Sequence, residues 1–253
     1  MAGLTDARAW ANGHDAYMPD GSMPNASALS TAQLISLGRD REAVDAARRD
    51  LAGNLQSRSD HHDNHQGVPM DGAQQLDQII PMLEDLVDDL HPAQLDNTTP
   101  CAKFTVTGVL EHMIGGASMF APAFRGEAPS PSSGSGTTPE RWRAAMTDLL
   151  GSVHVPGAQE RTIASPFGEV PGAMFARYVA FDGLMHGWDL ATATGQAYNP
   201  PDGLVAEVDA FARELLKPEM RDGDTFAAET AAPSDASPLE TLVAFSGRTV
   251  TRS

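Results

Sequence analysis

The sequence has little cysteine, few basic residues and no long apolar run. Among its 253 residues Cys101 is the one cysteine, so no intramolecular disulfide can form and a reducing cytoplasm fits. Acidic residues number 34 against 17 lysines and arginines, which gives a formal net charge of −17. Such a surface repels phosphate backbones and anionic membranes, so we expect no binding to nucleic acid or membranes.

Two further absences concern targeting. No apolar run approaches the roughly 20 residues that a membrane span needs, and the N-terminus lacks the basic-then-apolar pattern of a signal peptide. A chain of this length that is 41% hydrophobic is sufficient for one sizeable domain with a core. We therefore expect an acidic cytoplasmic protein, either a monomer or a homodimer.

Residues 1–69 differ in composition from the rest of the chain. They are rich in Asn, Asp, Ser, Arg and Gly without a continuous apolar stripe, which predicts a largely disordered arm. Its histidines, His61, His62 and His65, form either a flexible surface tract or a metal-binding one. A second hypothesis is that translation starts at Met70, because codons for QGVPM at 66–70 can spell a purine-rich ribosome-binding sequence. The arm would then be upstream sequence read in frame.

From Met70 onward, long amphipathic stretches predict helices. Apolar residues at three-and-four spacing predict a first helix over 72–90, bent or shortened in its first half by Pro81. Thr105 or Thr107 starts a second helix, which continues through VLEHMIGGASMFAPAF.

The remaining pattern is also mostly helical. A third helix opens with Thr138 as N-cap and Pro139 at its first position, and a fourth runs from about 173 to 193 before Gly195. The stretch RTIASPFGEVPG is the only β-like signal, and two shorter helices are expected near the C-terminus. Several helices without paired strands predict an all-α fold, a helical bundle over residues 70–253.

The fourth predicted helix contains an unusual set of polar residues. At about 100° per residue, Asp182, His186 and Asp189 share one stripe, while the rest of the helix surface is apolar. A helix that is apolar all round is buried, and buried charges need partners. Asp182 and His186 lie four residues apart, so a carboxylate oxygen and a ring nitrogen can converge on one ion.

His112 on the second helix is the candidate for a third ligand. Its helical neighbours Gly108, Gly115 and Gly116 leave room for an ion or a substrate beside the ring. Two histidines and one carboxylate with an open fourth position form the arrangement of catalytic rather than structural zinc sites. The ion would lower the pKa of a bound water or thiol.

Each of these residues also has a plainer interpretation. Asp182 and His186 form a hydrogen-bonded core pair in the absence of an ion, and His112 is then a structural or partly exposed histidine. Asp189 either holds the other ring N–H of His186 or caps the helix. Cys101, at the start of the second helix, is either a packed cap-region residue or a nucleophile, and no histidine neighbours it in sequence.

Three stretches resemble a known family: LDNTTPCAKFTVTGVLEHMIGG, FDGLMHGWDLATATGQ and the closing SPLETLVAFSGR. From about Met70 to Val250 the chain resembles the DinB/YfiT-like superfamily and, within it, the metal-binding domain of mycothiol-dependent maleylpyruvate isomerase. It is most similar to an actinobacterial group of short, largely uncharacterised members. The resemblance implies a four-helix bundle that holds a divalent ion, usually zinc and sometimes nickel. The family's ligands fall on His112, Asp182 and His186.

The sequence departs from that family in three ways. The isomerase has a glutamate where this chain has Asp182, and the motif often has tryptophan where this chain has Phe104. The isomerase also has a further C-terminal domain with a substrate-binding arginine, for which the chain after Val250 is too short. We therefore do not expect maleylpyruvate as substrate. Arg248 is a candidate for binding an anionic substrate; the alternative is a surface arginine after the terminal helix.

These observations predict a metal-dependent enzyme that acts with a low-molecular-weight thiol of the mycothiol type on an electrophilic substrate. The thiol would add as thiolate, in transferase or isomerase chemistry. The pattern identifies no general acid, so the catalytic residues stay unassigned. The alternative is a metal- or small-ligand-binding protein without turnover, since a fold alone does not confer activity.

Overall fold

The computed structural model of the chain describes residues 69–128, 134–165, 168–218, 221 and 226–250. Within these ranges the fold is mostly helical, with six α-helices, one short 3-10 helix and one two-stranded sheet. The predicted helical class is therefore confirmed, whereas the expectation of no paired strands is wrong. The predictions for the N-terminal arm, including its disorder and its histidine tract, concern residues 1–69, and all of these except residue 69 lie outside the described residues.

Helix α1, Gly72–Asp88, is continuous through Pro81. A capping box begins it, because Asp71 accepts a hydrogen bond from the Gln74 backbone at 2.8 Å and the Gln74 side chain accepts one from Asp71 at 3.0 Å. The predicted shortening at Pro81 is wrong. Pro81 lies on the exposed side of α1, while Leu76 and Leu83 on the opposite side are buried and hold the helix to the core.

Helix α2, Val106–Arg125, follows a short 3-10 helix at Pro92–Gln94 and a loop. Thr105, one of the two predicted starting residues, is its N-cap and accepts a hydrogen bond from the Gly108 backbone at 3.2 Å. Gly126 ends α2 in a left-handed conformation with φ of 75°.

Helix α3, Thr138–Val153, has Thr137 as N-cap, so the prediction of Thr138 is wrong by one residue. The reason lies in Glu140, which follows Thr137 by three residues. Its carboxylate accepts a hydrogen bond from the Thr137 backbone at 2.8 Å and completes a capping box that Thr138 cannot form.

The predicted β-like stretch forms an antiparallel hairpin. Strand β1, Thr162–Ser165, pairs with β2, Gly168–Pro171, and Ile163 lies opposite Val170. The hairpin leads directly into α4, Gly172–Thr194, which ends at Gly195 with φ of 71° as the sequence predicts. The two remaining helices are α5, Asp202–Leu215, and α6, Pro238–Phe245.

The first four helices pack around one apolar core. Helix α1 packs against α3 and α4, and α2 packs against the same two helices. Helix α5 packs against α4, and α6 packs against α5. Among the fully buried side chains of this core are Trp142, Phe124, Phe211, Leu76, Ile79 and Leu184. Of the helices described, none has the length and apolar character required to traverse a bilayer.

Candidate metal centre

The structure brings the three predicted ligands together between α2 and α4. His112 Nε2 lies 3.5 Å from one carboxylate oxygen of Asp182, and His186 Nε2 lies 3.4 Å from the other. The two imidazole rings are 4.9 Å apart between centroids. One candidate ligand atom from each residue lies within 4.8 Å of the other two. The predicted set is thus a spatial cluster, although its residues come from two distant segments.

The donor set fits a divalent ion. Around a tetrahedral zinc with bonds of about 2.0–2.1 Å, neighbouring ligand atoms lie roughly 3.3 Å apart. The contacts of Asp182 with His112 and His186 measure 3.5 and 3.4 Å but involve its two different oxygens, and one ligand atom from each of the three residues lies within 4.8 Å of the other two, so the side chains would move slightly closer around an ion. Good N–H···O hydrogen bonds are shorter, about 2.7–3.2 Å. Two imidazole nitrogens and one carboxylate oxygen are ligands that zinc accepts.

Glycines on α4 explain how an otherwise apolar helix presents this polar stripe to α2. A Cβ at Gly183 would lie 3.2 Å from Ile79 on α1, and one at Gly187 would lie 3.0 Å from Leu83 and 2.5 Å from Tyr198. These glycines therefore let α4 pack closely against α1. The sequence analysis missed this role, although both glycines immediately follow a candidate ligand.

The glycines around His112 serve different purposes. A Cβ at Gly108 would meet the Phe104 ring at 3.2 Å, and one at Gly116 would meet the Phe120 ring at 3.1 Å. Only at Gly115, of these three positions, would a Cβ meet no heavy atom of the described chain within 4 Å. The predicted free space beside His112 is therefore restricted to the Gly115 side.

Phe104 packs against both candidate histidines. Its ring centroid lies 5.2 Å from that of His112 and 6.1 Å from that of His186. The loop that carries it is held by hydrogen bonds, from the Phe104 backbone N–H to Cys101 O at 2.8 Å and from Thr99 N–H to Phe104 O at 3.2 Å. An aromatic side chain at this position therefore covers the rings and limits their access to water.

The cluster is more exposed at its carboxylate than at its imidazoles. The Asp182 side chain is 46% exposed, whereas those of His112 and His186 are 13% and 5% exposed. Burial lowers the pKa of His186, but the negative charges of Asp182 and Asp189 outweigh this effect and raise the pKa to about 9. Burial likewise raises the pKa of Asp182, and the two histidines hold it well below its ordinary value. Without an ion, the site thus pairs a carboxylate with a protonated His186.

Asp189 orients His186 through its Nδ1 atom. Its side chain is fully buried, and Oδ2 lies 3.0 Å from His186 Nδ1. Burial raises the pKa of Asp189, but Arg248 and His186 outweigh it and lower the pKa. Because Asp189 is then ionised, Nδ1 must donate the hydrogen bond, which leaves Nε2 facing Asp182.

Arg248 is a partner of Asp189. Its Nε donates to Asp189 Oδ1 at 2.9 Å, a terminal nitrogen donates to Oδ2 at 2.8 Å, and the other donates to Ser246 Oγ at 3.1 Å. The side chain is only 13% exposed, so the interpretation as a surface arginine is wrong. A role for Arg248 in binding an anionic substrate stays a prediction. The guanidinium donates hydrogen bonds to Asp189 and Ser246.

Cys101 lies close enough to Asp189, Asp182 and Arg248 for their charges to act on its thiol. Burial raises the pKa of this thiol, and the charge of Arg248 only partly offsets that effect. The thiol is therefore protonated near neutral pH, which favours the packed-cysteine interpretation over the nucleophile.

Comparison with known proteins identifies relatives of the chain. The family model described as "Mycothiol maleylpyruvate isomerase N-terminal domain" matches residues 76–191. Two proteins from two strains of Mycobacterium tuberculosis, both described as uncharacterised, are each 34% identical to the chain over 168 residues. Each alignment covers 65% of this chain and 91% of the relative. No solved structure matches the chain significantly. The matched family range contains His112, Asp182, His186 and Asp189 but ends before Arg248.

Proposed function

The chain belongs to the family of the mycothiol maleylpyruvate isomerase N-terminal domain, and on this basis we propose that it is a divalent-metal-binding enzyme that uses a small thiol. The substrate pair is a thiol of the mycothiol type and an electrophile, in transferase or isomerase chemistry. The ion is zinc, with nickel as the alternative. The observation that carries the proposal is the cluster of His112, Asp182 and His186, whose ligand atoms lie within 4.8 Å of one another.

We also propose that α1–α4 form the four-helix bundle of the DinB/YfiT type and that residues 70–253 are one domain. The pairwise packing of α1 and α2 against both α3 and α4 supports this assignment. It places the cluster between two helices of the bundle, where such proteins build their metal sites. Thiol chemistry and a single cysteine agree with a cytoplasmic location.

In this proposal the protein's residues have separate tasks. His112, Asp182 and His186 hold the ion, and Asp189 holds the Nδ1–H of His186 so that Nε2 carries the lone pair toward it. When bound, the ion supplies one chemical effect: it lowers the pKa of a thiol at the site, so that the sulfur is nucleophilic near neutral pH.

The surroundings of the cluster indicate how substrates reach it. Phe104 covers the imidazoles on one side. Asp182 is the most exposed of the three cluster residues, so substrates would approach the site from its side.

Metal content tests the first half of the proposal. We expect freshly purified protein to contain close to one zinc or nickel per chain, and His112→Ala and His186→Ala to lose it. His154→Ala is the matched control, because His154 also pairs with an aspartate, Asp77, at 2.8 Å but lies outside the cluster. Wild-type protein that is folded yet binds no divalent ion at micromolar concentration would contradict the proposal.

Thiol consumption tests the second half. The wild-type protein is incubated with mycothiol and a panel of electrophiles, and the loss of free thiol is followed with and without a chelator. We expect metal-dependent loss with at least one electrophile and none with His186→Ala. Metal-loaded protein that consumes no thiol with any electrophile is instead a non-catalytic metal- or ligand-binding protein.

A further inference from the structure

We infer that Arg248 is a positioning residue for the metal centre, acting through Asp189 on His186. The inference rests on the proposed function, because it concerns how the proposed ligand is oriented. It adds to the centre a residue that lies outside the family range of 76–191 and 59 residues after Asp189 in the chain.

The contact between Arg248 and Asp189 fixes the orientation of the Asp189 carboxylate. Two nitrogens of the guanidinium donate to the two different oxygens of Asp189, at 2.9 and 2.8 Å. Such a two-point contact fixes the plane of the carboxylate as well as its position. Oδ2 is shared with His186 Nδ1 at 3.0 Å. The plane of Asp189 therefore determines the direction in which His186 presents Nε2.

Arg248 is itself held by the C-terminal segment. Its backbone N–H donates to Val243 O at 3.2 Å, and its carbonyl accepts a hydrogen bond from Thr230 Oγ1 at 2.5 Å. Gly247 has φ of 95°, and a Cβ there would lie 2.9 Å from Ala227, so this turn requires glycine. The segment that follows α6 is thereby directed toward α4, and the metal centre depends on it.

Arg248 also sets the charge around the centre. Asp189 is fully buried, and the positive charge of Arg248 compensates it. Asp182 is then the carboxylate that neutralises part of the ion's charge. Without Arg248, Asp189 would keep its hydrogen bond with His186 but would lose the two contacts that fix its plane and the positive charge that compensates it.

The matched control is Arg221, which also anchors the C-terminal segment. It donates to Ala227 O and to Phe245 O, each at 2.8 Å, and lies over the Phe245 ring. Replacing Arg221 therefore loosens the same segment without removing a contact to Asp189. A purely structural role of Arg248 predicts equal effects of Arg221→Met and Arg248→Met on the centre.

The experiment compares full-length wild type, Arg248→Met, Arg248→Lys, Arg221→Met and Asp189→Asn. Co²⁺ is the probe, because its visible absorption reports ligand number and geometry, and a competing chelator gives the dissociation constant. We expect Arg248→Met to weaken Co²⁺ binding by about 10- to 100-fold and to change the spectrum. Arg221→Met should leave both unchanged. Arg248→Lys keeps the positive charge but cannot donate to both oxygens of Asp189 with the planar geometry of a guanidinium, so its Co²⁺ affinity should lie between those of wild type and Arg248→Met.

A double substitution checks that Arg248 acts through Asp189. In the Asp189→Asn background, Arg248→Met should weaken Co²⁺ binding by less than twofold more, since the route to His186 is already broken. If Arg248→Met does not fold, Arg248→Lys decides the question against Arg221→Met by the same two readouts. A folded Arg248 variant with the affinity and spectrum of wild type overturns the inference. Wild-type protein that binds no Co²⁺ overturns the proposed metal centre instead.

Discussion

Binding of a divalent ion should become tighter as the pH rises from 7 to about 9, because the ion must displace a proton from His186. The carboxylates Asp182 and Asp189 raise the pKa of this histidine to about 9 in the metal-free protein. At pH 7 the protonated form then exceeds the neutral form by about 100-fold, and only neutral imidazole binds a metal. Asp182 does not titrate in this range, since its pKa lies well below its ordinary value.

The expected magnitude follows from that single proton. The apparent association constant for zinc should rise about tenfold per pH unit between pH 7 and about 9 and then level off. A chelator of known pH dependence measures it, and calorimetry in two buffers of different protonation enthalpy counts the released proton. His154→Ala should show the wild-type profile. A constant affinity between pH 7 and 9, with no proton released, would refute the reasoning.

The same proton affects stability in the metal-free protein. A pKa raised above the unfolded value of 6.5 contributes stability that is fully present below pH 6.5 and is lost as the pH rises through about 9. The difference between these pKa values corresponds to at most about 3–4 kcal/mol. Metal-bound protein has no such proton to lose. Urea denaturation should therefore show a gap between metal-bound and metal-free protein that widens toward pH 9.

Four further substitutions test the packing of the fold and the role of Cys101. Gly72→Ala should lower the free energy of unfolding by about 1–3 kcal/mol, because the new Cβ would lie 2.5 Å from the backbone nitrogen of Arg177. Gly115→Ala should raise it by about 0.5–1 kcal/mol, because its Cβ meets no described heavy atom within 4 Å and alanine favours the helix. Urea denaturation measures both. Trp142→Ala should cost about 3–5 kcal/mol of unfolding free energy in the same assay, because the side chain is fully buried. Cys101→Ser should retain the metal content and thiol consumption of wild type, whereas parallel loss of both would make the thiol part of the centre.

The features that the sequence predicts correctly are those with a local signal. The helices follow from apolar spacing, and their ends follow from Thr105 and Gly195. The approach of Asp182 to His186 follows from their spacing on one helix, one turn apart. His112 is predicted as the third ligand because it borders the apolar face of its helix and has small glycine neighbours. The structure brings it within 3.5 Å of Asp182.

The features that the sequence analysis missed depend on contacts distant in the chain. Arg248 lies 59 residues from Asp189, and no periodicity connects them. One signal was present, since a carboxylate such as Asp189 inside an apolar helix requires a buried cation or several donors. The sequence does not say which arginine supplies it. The packing of Gly187 against Tyr198 has no local sequence signal either, because it depends on the path of the loop after α4.

The two carboxylates of α4 show how position rather than residue type determines their roles. Asp189 is fully buried and lies at hydrogen-bond distance from His186 and Arg248, so Asp189 rather than Asp182 forms the hydrogen-bonded core pair with His186. Asp182 is nearly half exposed, and each of its two oxygens lies 3.4–3.5 Å from a different imidazole nitrogen, farther than a good hydrogen bond. A site that needed only a hydrogen-bonded pair would be complete with Asp189. The second carboxylate, set between two imidazoles at that spacing, is what favours an ion.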